Sequence, residues 1–324
     1  MIPAAAIFEP LPIQAVGARL RAARFAADPA MPSRGVCVLL SGQTEFIEKY
    51  FETIDELRSR GFAVATMDWR GQGGSSRALD DARKGYVKDF AEYDEDLQTL
   101  MDWIVRPMVE KSGVPPMAVA HSMGAHNLLR YLLKKPDAFS AVVLTAPMIA
   151  ISLRGTIEWV ARAVTATKNR FGRGGDWVWG MEARDPYLMT YEKQFVTSDH
   201  ERFARAQMIL RENPELRLAG ATWSWLAAAF HSMDWLRAAG QPESILTPSL
   251  VIGAGADRIV LTAETRKFAA RMPNATYVEI EGAEHEMLME RNVYRRQWWE
   301  AFDAFLQKNT PAVLGTAGVS AVTE

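Results

Sequence analysis

The chain of 324 residues lacks several features that would direct its reading elsewhere. It has one cysteine, Cys37, so no internal disulfide can form. That cysteine stands in the apolar run GVCVLLSG, where a buried, inert thiol is expected. No stretch reaches the ~20 apolar residues that a spanning helix needs. Net charge is only −2, from 37 basic and 39 acidic residues, and no basic run breaks that balance. Such a chain has neither the overall field nor the local patch to gather nucleic acid. The N-terminus, MIPAAAIFEPLPIQ, has no basic start followed by an apolar core, and no lipidation motif. A cytoplasmic protein is expected, with peripheral membrane contact left open. A His-x-x-x-His helix, a cysteine cluster and a G-x-x-x-x-G-K loop are all missing, so neither a metal nor a nucleotide cofactor is expected.

What is present is an ordinary globular composition, 48% hydrophobic and 23% charged. Apolar runs of strand length alternate with helical patterns. VCVLLSG (36–42), FAVATMD (62–68), MAVAH (117–121), AVVLTAP (141–147), SLVIGAG (249–255) and TYVEIEG (276–282) read as strands. Helical spacing covers 45–60, 89–111, 123–135 and 293–306. The segment 18–26 is expected to add antiparallel edge strands. Such alternation predicts an α/β protein, its mostly parallel sheet flanked by helices. It breaks between Met148 and Gly240, where helical patterns carry six of the ten tryptophans: Trp159, Trp177, Trp179, Trp223, Trp225 and Trp235. This predicts a core from 1–147 and 241–307 and a helical cap from 148–240. The small, polar tail 308–324 is expected to be loosely held.

The stretch AHSMG, Ala120 to Gly124, nearly matches the Gly-x-Ser-x-Gly nucleophile elbow. A serine there sits in a strained turn between a strand and a helix, so the residues two before and two after must be small. Ala120 and Gly124 are. A second His-Ser-Met, in FHSMD, puts Phe230 and Asp234 at those positions around Ser232 and is a decoy. The plain alternative for Ser122 is a helix N-cap. A serine hydroxyl needs a base and an orienting acid. In this arrangement the order is Ser, then Asp or Glu, then His. Of the five histidines, only His285, in the loop EGAEHEM, follows the last strands. Asp257 closes the strand before, and Asp234 is the rival acid. Backbone amides of Gln43 and Met123 are the candidates for an oxyanion hole.

Taken together, SGQTEFIEKY, MDWRGQGGSSR, DFAEYDEDLQTLM, AHSMGAHNLLRY, LTAPM, GADRIV and GAEHEMLMER fall in the order found in α/β-hydrolases. Over roughly residues 15 to 307 the chain resembles the bacterial lysophospholipase and monoacylglycerol lipase branch, which is serine aminopeptidase S33-like. The resemblance implies an α/β-hydrolase fold with a helical cap, a Ser122–Asp257–His285 triad, and oxyanion amides from Gln43 and Met123. It implies a small-molecule lipid or ester as partner. Two positions depart from the pattern: Ser41 replaces a usual His, and Ala120 replaces the elbow Gly. The first, with Gln43, leans towards lysophospholipase-like members. The readings in view are a hydrolase of single-chain lipid esters, an acyltransferase or small-ester hydrolase of the same fold, and a non-catalytic binding module. Some cap tryptophans, with Trp159, Trp179 and Trp223 as candidates, are expected to line an acyl pocket, and others to touch a membrane.

Overall fold

A computed structural model describes residues 6–12, 19–153, 155–181 and 189–309. Its strands, in chain order, are β1 (Ala6–Pro12), β2 (Arg19–Phe25), β3 (Val36–Leu40), β4 (Ala63–Met67), β5 (Lys84–Gly85), β6 (Met117–His121), β7 (Val142–Thr145), β8 (Gly220–Ala221), β9 (Ser249–Ala254) and β10 (Ala275–Ile280). Eight of them form one sheet in the order β1-β2-β4-β3-β6-β7-β9-β10, and β5 and β8 form a small second ladder. From β4 to β10 all neighbours are parallel. β1 and β2 add an antiparallel edge. Every residue of β3 and β6 is buried. Their unbroken apolar runs therefore mean cover on both faces, not one wet face. Cys37 lies within this core, where burial pushes its thiol well up.

The edge strand β1 was not visible in the sequence, because Pro10 and Pro12 argue against a strand. A proline removes a ladder donor, which an edge tolerates and a central strand does not.

The helices are α1 (Phe51–Arg58), α2 (Ala91–Leu100), α3 (Arg106–Ser112), α4 (Ser122–Lys134), α5 (Glu158–Arg170), α6 (His200–Glu212), α7 (Trp223–Arg237), α8 (Thr262–Ala269) and α9 (Asn292–Asn309). The single helix expected over 45–60 is a 3₁₀ turn at Ile47–Tyr50 followed by α1. The one expected over 89–111 is α2 and α3 joined by a π-helical turn at Met101–Val105. Pro107 explains it. Its ring has no N–H to give and crowds the carbonyl four residues earlier, and a wider turn absorbs the clash. In α2, Tyr93, Leu97 and Leu100 still form the buried stripe that the spacing predicted.

Between β7 and β9 the chain leaves the sheet. Here α5 lies along α7, and α6 rests on the 3₁₀ turn, where Phe46, Leu210 and Leu216 make a small apolar cluster. The inner face of α7, with Trp225, Ala229, Phe230, Met233 and Leu236, belongs to the main core. Residues 182–188 lie outside the described residues, as does the expected loose tail beyond Asn309.

The decoy Ser232 has a structural task. It is buried on α7 and bonds to α4, with Oγ 2.6 Å from His126 Nε2 and accepting from Arg130 Nη1 at 2.9 Å. The His126 Nδ1 lies 2.8 Å from the Met148 carbonyl. A carbonyl only accepts, so Nδ1 carries the proton and Nε2 takes the Ser232 hydroxyl hydrogen. Burial first, and the Arg130 charge second, push the His126 pKa down to about 3.

The sign of that shift gives a prediction. His126 is neutral in the folded chain, while the unfolded chain takes up a proton below about pH 6.5. Stability from this group is complete above that pH and is lost as pH falls towards the folded value. Each pH unit inside the window costs up to about 1.4 kcal/mol, so the loss from pH 6.5 to 4 is roughly 3 kcal/mol. Chemical unfolding across this range should give a flatter stability profile for His126→Gln than for the parent chain. Equal slopes would remove His126 from the account.

Candidate active site

Among the described residues, three that are not glycine have positive φ: Thr44 at 62°, Ser122 at 50° and Ala146 at 43°. They follow β3, β6 and β7, at the carboxyl edge of the parallel sheet. Strained backbone gathers where a site is built, and ligands gather at this edge. A cavity of about 1010 Å³ opens there, with Ser122, His285 and Gln43 in its wall. That volume is at the upper end for small-molecule sites.

Ser122 makes the turn from β6 into α4. The turn forces close passage of the chain: a Cβ on Gly124 would lie 2.4 Å from the Ser41 carbonyl oxygen and 2.7 Å from that of Leu40. No side chain fits. At the other flank Ala120 is fully buried, and its single methyl is accommodated within β6.

The Ser122 Oγ lies 2.9 Å from His285 Nε2, and His285 Nδ1 lies 2.7 Å from Asp257 Oδ2. The other Asp257 oxygen accepts from the amides of Ile259 and Val260, at 2.7 and 3.0 Å. Burial raises the Asp257 pKa. The electrostatic pull and hydrogen bond of His285, with those two amides, outweigh burial and hold it below the ordinary carboxylate range. An ionised Asp257 makes Nδ1 the donor and leaves Nε2 to accept the serine proton. The loop that carries His285 is braced by Glu290, which is fully buried and accepts from the Glu284 amide at 2.9 Å and from the Ser198 hydroxyl at 2.6 Å. The rival acid Asp234 is elsewhere. It pairs with Arg162 and Arg237 on the outer side of α5 and α7.

Opposite the histidine, the loop after β3 is pressed against the elbow. A Cβ on Gly42 would come within 3.1 Å of the Ser122 Cβ. The Gly42 amide donates to Glu45 Oε2, and the Thr44 amide to Gln72 Oε1 at 3.3 Å. Gln43 stands between two amides that are already committed. Met123, whose side chain is buried, heads α4 directly after Ser122. The glycine-rich loop after β4 is the outer brace. Gln72 donates to the Gly42 carbonyl at 2.7 Å, and Trp69 Nε1 to the Ser41 carbonyl at 2.9 Å.

Four residues around the site were not singled out from the sequence for any role in it: Glu45, Lys49, Glu286 and His121 all line the cavity. The His121 ring lies 4.8 Å from that of His285. Burial lowers the His121 pKa to about 4, against the pull of Glu45, so the ring is neutral at physiological pH. The one sequence signal was the Glu45–Lys49 spacing of four.

The tryptophans divide. Trp223 is buried, Trp179 is 65% exposed, and the two meet edge to face at 5.2 Å in the cavity wall. Trp225 lines it as well. Trp159 does not. It is 69% exposed, because α5 turns Val160, Ala161 and Val164 to the cavity and carries its neighbour Trp159 outward.

The chain is 28% identical to lysophospholipase L2 of Escherichia coli over 300 residues, covering 89% of this chain and 85% of the relative. Among solved structures, a soluble variant of monoglyceride lipase from Saccharomyces cerevisiae superposes with a TM-score of 0.75 at 17% identity, covering 96% of this chain and 98% of that one. Paleococcus ferrophilus monoacylglycerol lipase gives 0.66 at 23% identity, covering 89% and 98%. At these identities the structures speak to the fold alone. The serine aminopeptidase S33 family profile matches residues 31–292, and the chain belongs to that family of α/β-hydrolases.

Proposed function

We propose that this carboxylic ester hydrolase cleaves single-chain lipid esters through an acyl-enzyme on Ser122. His285 takes the Ser122 proton as the oxygen attacks the ester carbonyl. Asp257 holds the imidazole in the right tautomer and stabilises its cation. The amides of Gln43 and Met123 receive the charge that develops on the carbonyl oxygen. His285 then returns the proton to the leaving alcohol, and water repeats the sequence to free the acid. The observation that carries the reading is the unbroken Ser122–His285–Asp257 hydrogen-bonded chain at the wall of a large cavity whose wall includes Ile151, Leu153, Val160, Val164 and Leu226. The similarity to lysophospholipase L2 favours a lipid substrate.

In this reading residues 148–240 form a cap. Its outer surface exposes Ile157, Trp159, Phe171 and Trp179, together with Arg170 and Arg173, and the half-buried Lys168 lies over the Trp179 ring. Amphipathic aromatic and apolar side chains beside cations suit an anionic bilayer surface. Because Trp179 belongs both to this patch and to the cavity wall, a lipid could pass from bilayer to site along one apolar path.

Three measurements test the proposal. Ser122→Ala should lose on the order of 10⁶ in kcat, as removal of such a serine does, and all labelling by a fluorophosphonate. Asp257→Asn should lose about 10⁴. Ser232→Ala should keep activity and labelling while losing about 1–3 kcal/mol of stability, because His126 and Arg130 lose a buried partner. An inactive but well-folded Ser232→Ala would overturn the assignment of Ser122.

In the second, kcat/KM should climb from acetyl to medium and long acyl esters. The gain is up to about 0.8 kcal/mol, or roughly fourfold, for each methylene buried. An enzyme fastest on acetate and falling beyond butyrate would leave a small-ester hydrolase. In the third, Trp159→Ala with Phe171→Ala should weaken sedimentation with anionic vesicles and slow hydrolysis of vesicle-borne lipid. Turnover of a soluble ester should be unchanged. Equal sedimentation would exclude this patch as the contact.

A further inference from the structure

The mechanism above leaves unused a set of charges buried next to it. Glu45 is 2% exposed, and its carboxylate is saturated. Oε2 accepts from the Gly42 amide and from the Tyr50 hydroxyl at 2.6 Å, and Oε1 accepts from Lys49 Nζ at 2.8 Å. The same Lys49 ammonium lies 2.7 Å from Glu286 Oε1. Glu286 directly follows His285, and its amide donates to the Val196 carbonyl at 2.7 Å. The result is a closed path from the turn that carries Gln43, through Glu45, Lys49 and Glu286, to the residue after the histidine. Burial works against the Lys49 charge, but Glu286 and Glu45 hold its pKa well above the usual range.

Buried ion sets of this kind are costly, and their plausible return is a fixed geometry. Here the return is visible in what is fixed. Glu45 takes the Gly42 amide out of the cavity, and Gln72 takes that of Thr44, so the turn offers Gln43. Lys49 then sets how far this turn stands from the His285 loop. Two groups that must act on one carbonyl, an oxyanion donor and a base, come from loops far apart in the chain, around Gln43 and His285, and backbone alone does not hold them in register.

We propose that Glu45, Lys49 and Glu286 are positioning residues that clamp the oxyanion turn to the His285 loop, with Lys49 as the tie. The inference rests on the proposed roles of Ser122, His285 and the Gln43 amide. None of the three residues of the clamp reacts with substrate. Their effect runs through the placement of the Gln43 amide and the imidazole. Displacements of about 1 Å in such groups cost up to roughly 100-fold in rate.

The test is a set of variants assayed on a soluble p-nitrophenyl ester, with active sites counted by burst titration so that unfolded chains drop out. Lys49→Met keeps the apolar stem and removes the tie. It should lower kcat per titrated site by about 10- to 100-fold, with KM changed less than about threefold. Lys49→Arg, which retains a cation able to meet both carboxylates, should recover most of that loss. Lys49→Met leaves two carboxylates facing each other and is the variant most prone to misfold. The double variant Lys49→Met with Glu286→Gln relieves this repulsion, and it should regain stability without regaining kcat. A merely structural cluster gives another pattern: fewer titrated sites, but an unchanged kcat for each. That pattern, or a double variant restored in kcat, overturns the clamp. Ser122→Ala in the same series separates the two claims. If it stays active, the reading of the site fails. If it is dead while Lys49→Met keeps kcat within twofold, only the clamp fails.

Discussion

The site depends on one backbone constraint, the left-handed turn at Ser122. A φ of 50° is disfavoured for any residue with a Cβ, and the fold sustains it by closing the surroundings around it. Gly124 lets the start of α4 pass against the carbonyls of Leu40 and Ser41. Gly42 lets the next loop come up to Ser122 itself. Both glycines are required by contact distances and not by their own φ. The return on this strain is placement. The hydroxyl stands clear of the strand and helix hydrogen bonds, at the cavity wall, 2.9 Å from an imidazole that comes from far along the chain.

Much of this was legible in sequence because the constraints are local. The central strands β3, β4, β6, β7 and β9 were read from short, mostly apolar runs, as expected of parallel strands covered on both faces, while β10, at the far edge, carries the exposed Glu279 within its run. The elbow could be told from its decoy by two residues, Ala120 and Gly124 against Phe230 and Asp234. His285 and Asp257 followed from chain order. Hydrogen bonds of 2.9 and 2.7 Å bring the three side chains together. Asp234, the rival acid, stands instead in surface ion pairs with Arg162 and Arg237.

What escaped the sequence depends on contacts between distant segments. β1 exists because β2 is there to pair with it, and its prolines are harmless only at an edge. The interruption after α2 needs the clash of Pro107 with the previous turn. Neither the Ser232–His126–Arg130 contact nor the Glu45–Lys49–Glu286 path has a sequence signature beyond one Glu–Lys spacing. Among the tryptophans, Trp159 and Trp179 look alike in sequence. A helix places neighbours about 100° apart, so Val160 enters the cavity wall and Trp159 faces outward.

The division of the cavity wall explains how one fold can serve relatives that carry different names. Ser122, His285 and the Gly42–Thr44 turn all come from the ends of sheet strands, whose positions are set by the core. Glu45, Lys49 and Glu286 lie on the same side, where the Lys49 ammonium bridges the two carboxylates. The apolar wall comes mostly from residues 148–226, outside the sheet, through Ile151, Leu153, Val160, Trp179 and Trp223. Changes in that segment can reshape what the cavity holds without moving the serine, because, among the described residues, α5 and the residues around Trp179 make none of the side-chain hydrogen bonds of Ser122, His285 or Asp257. The coupling is tighter at α7, whose inner face is also core and whose Ser232 is bonded to α4, the helix that Ser122 begins. Substrate range can therefore drift most freely through α5 and the residues around Trp179, and least through α7. Fold and chemistry stay constant while the substrate changes, so the site, and not the fold, has to carry the argument for function.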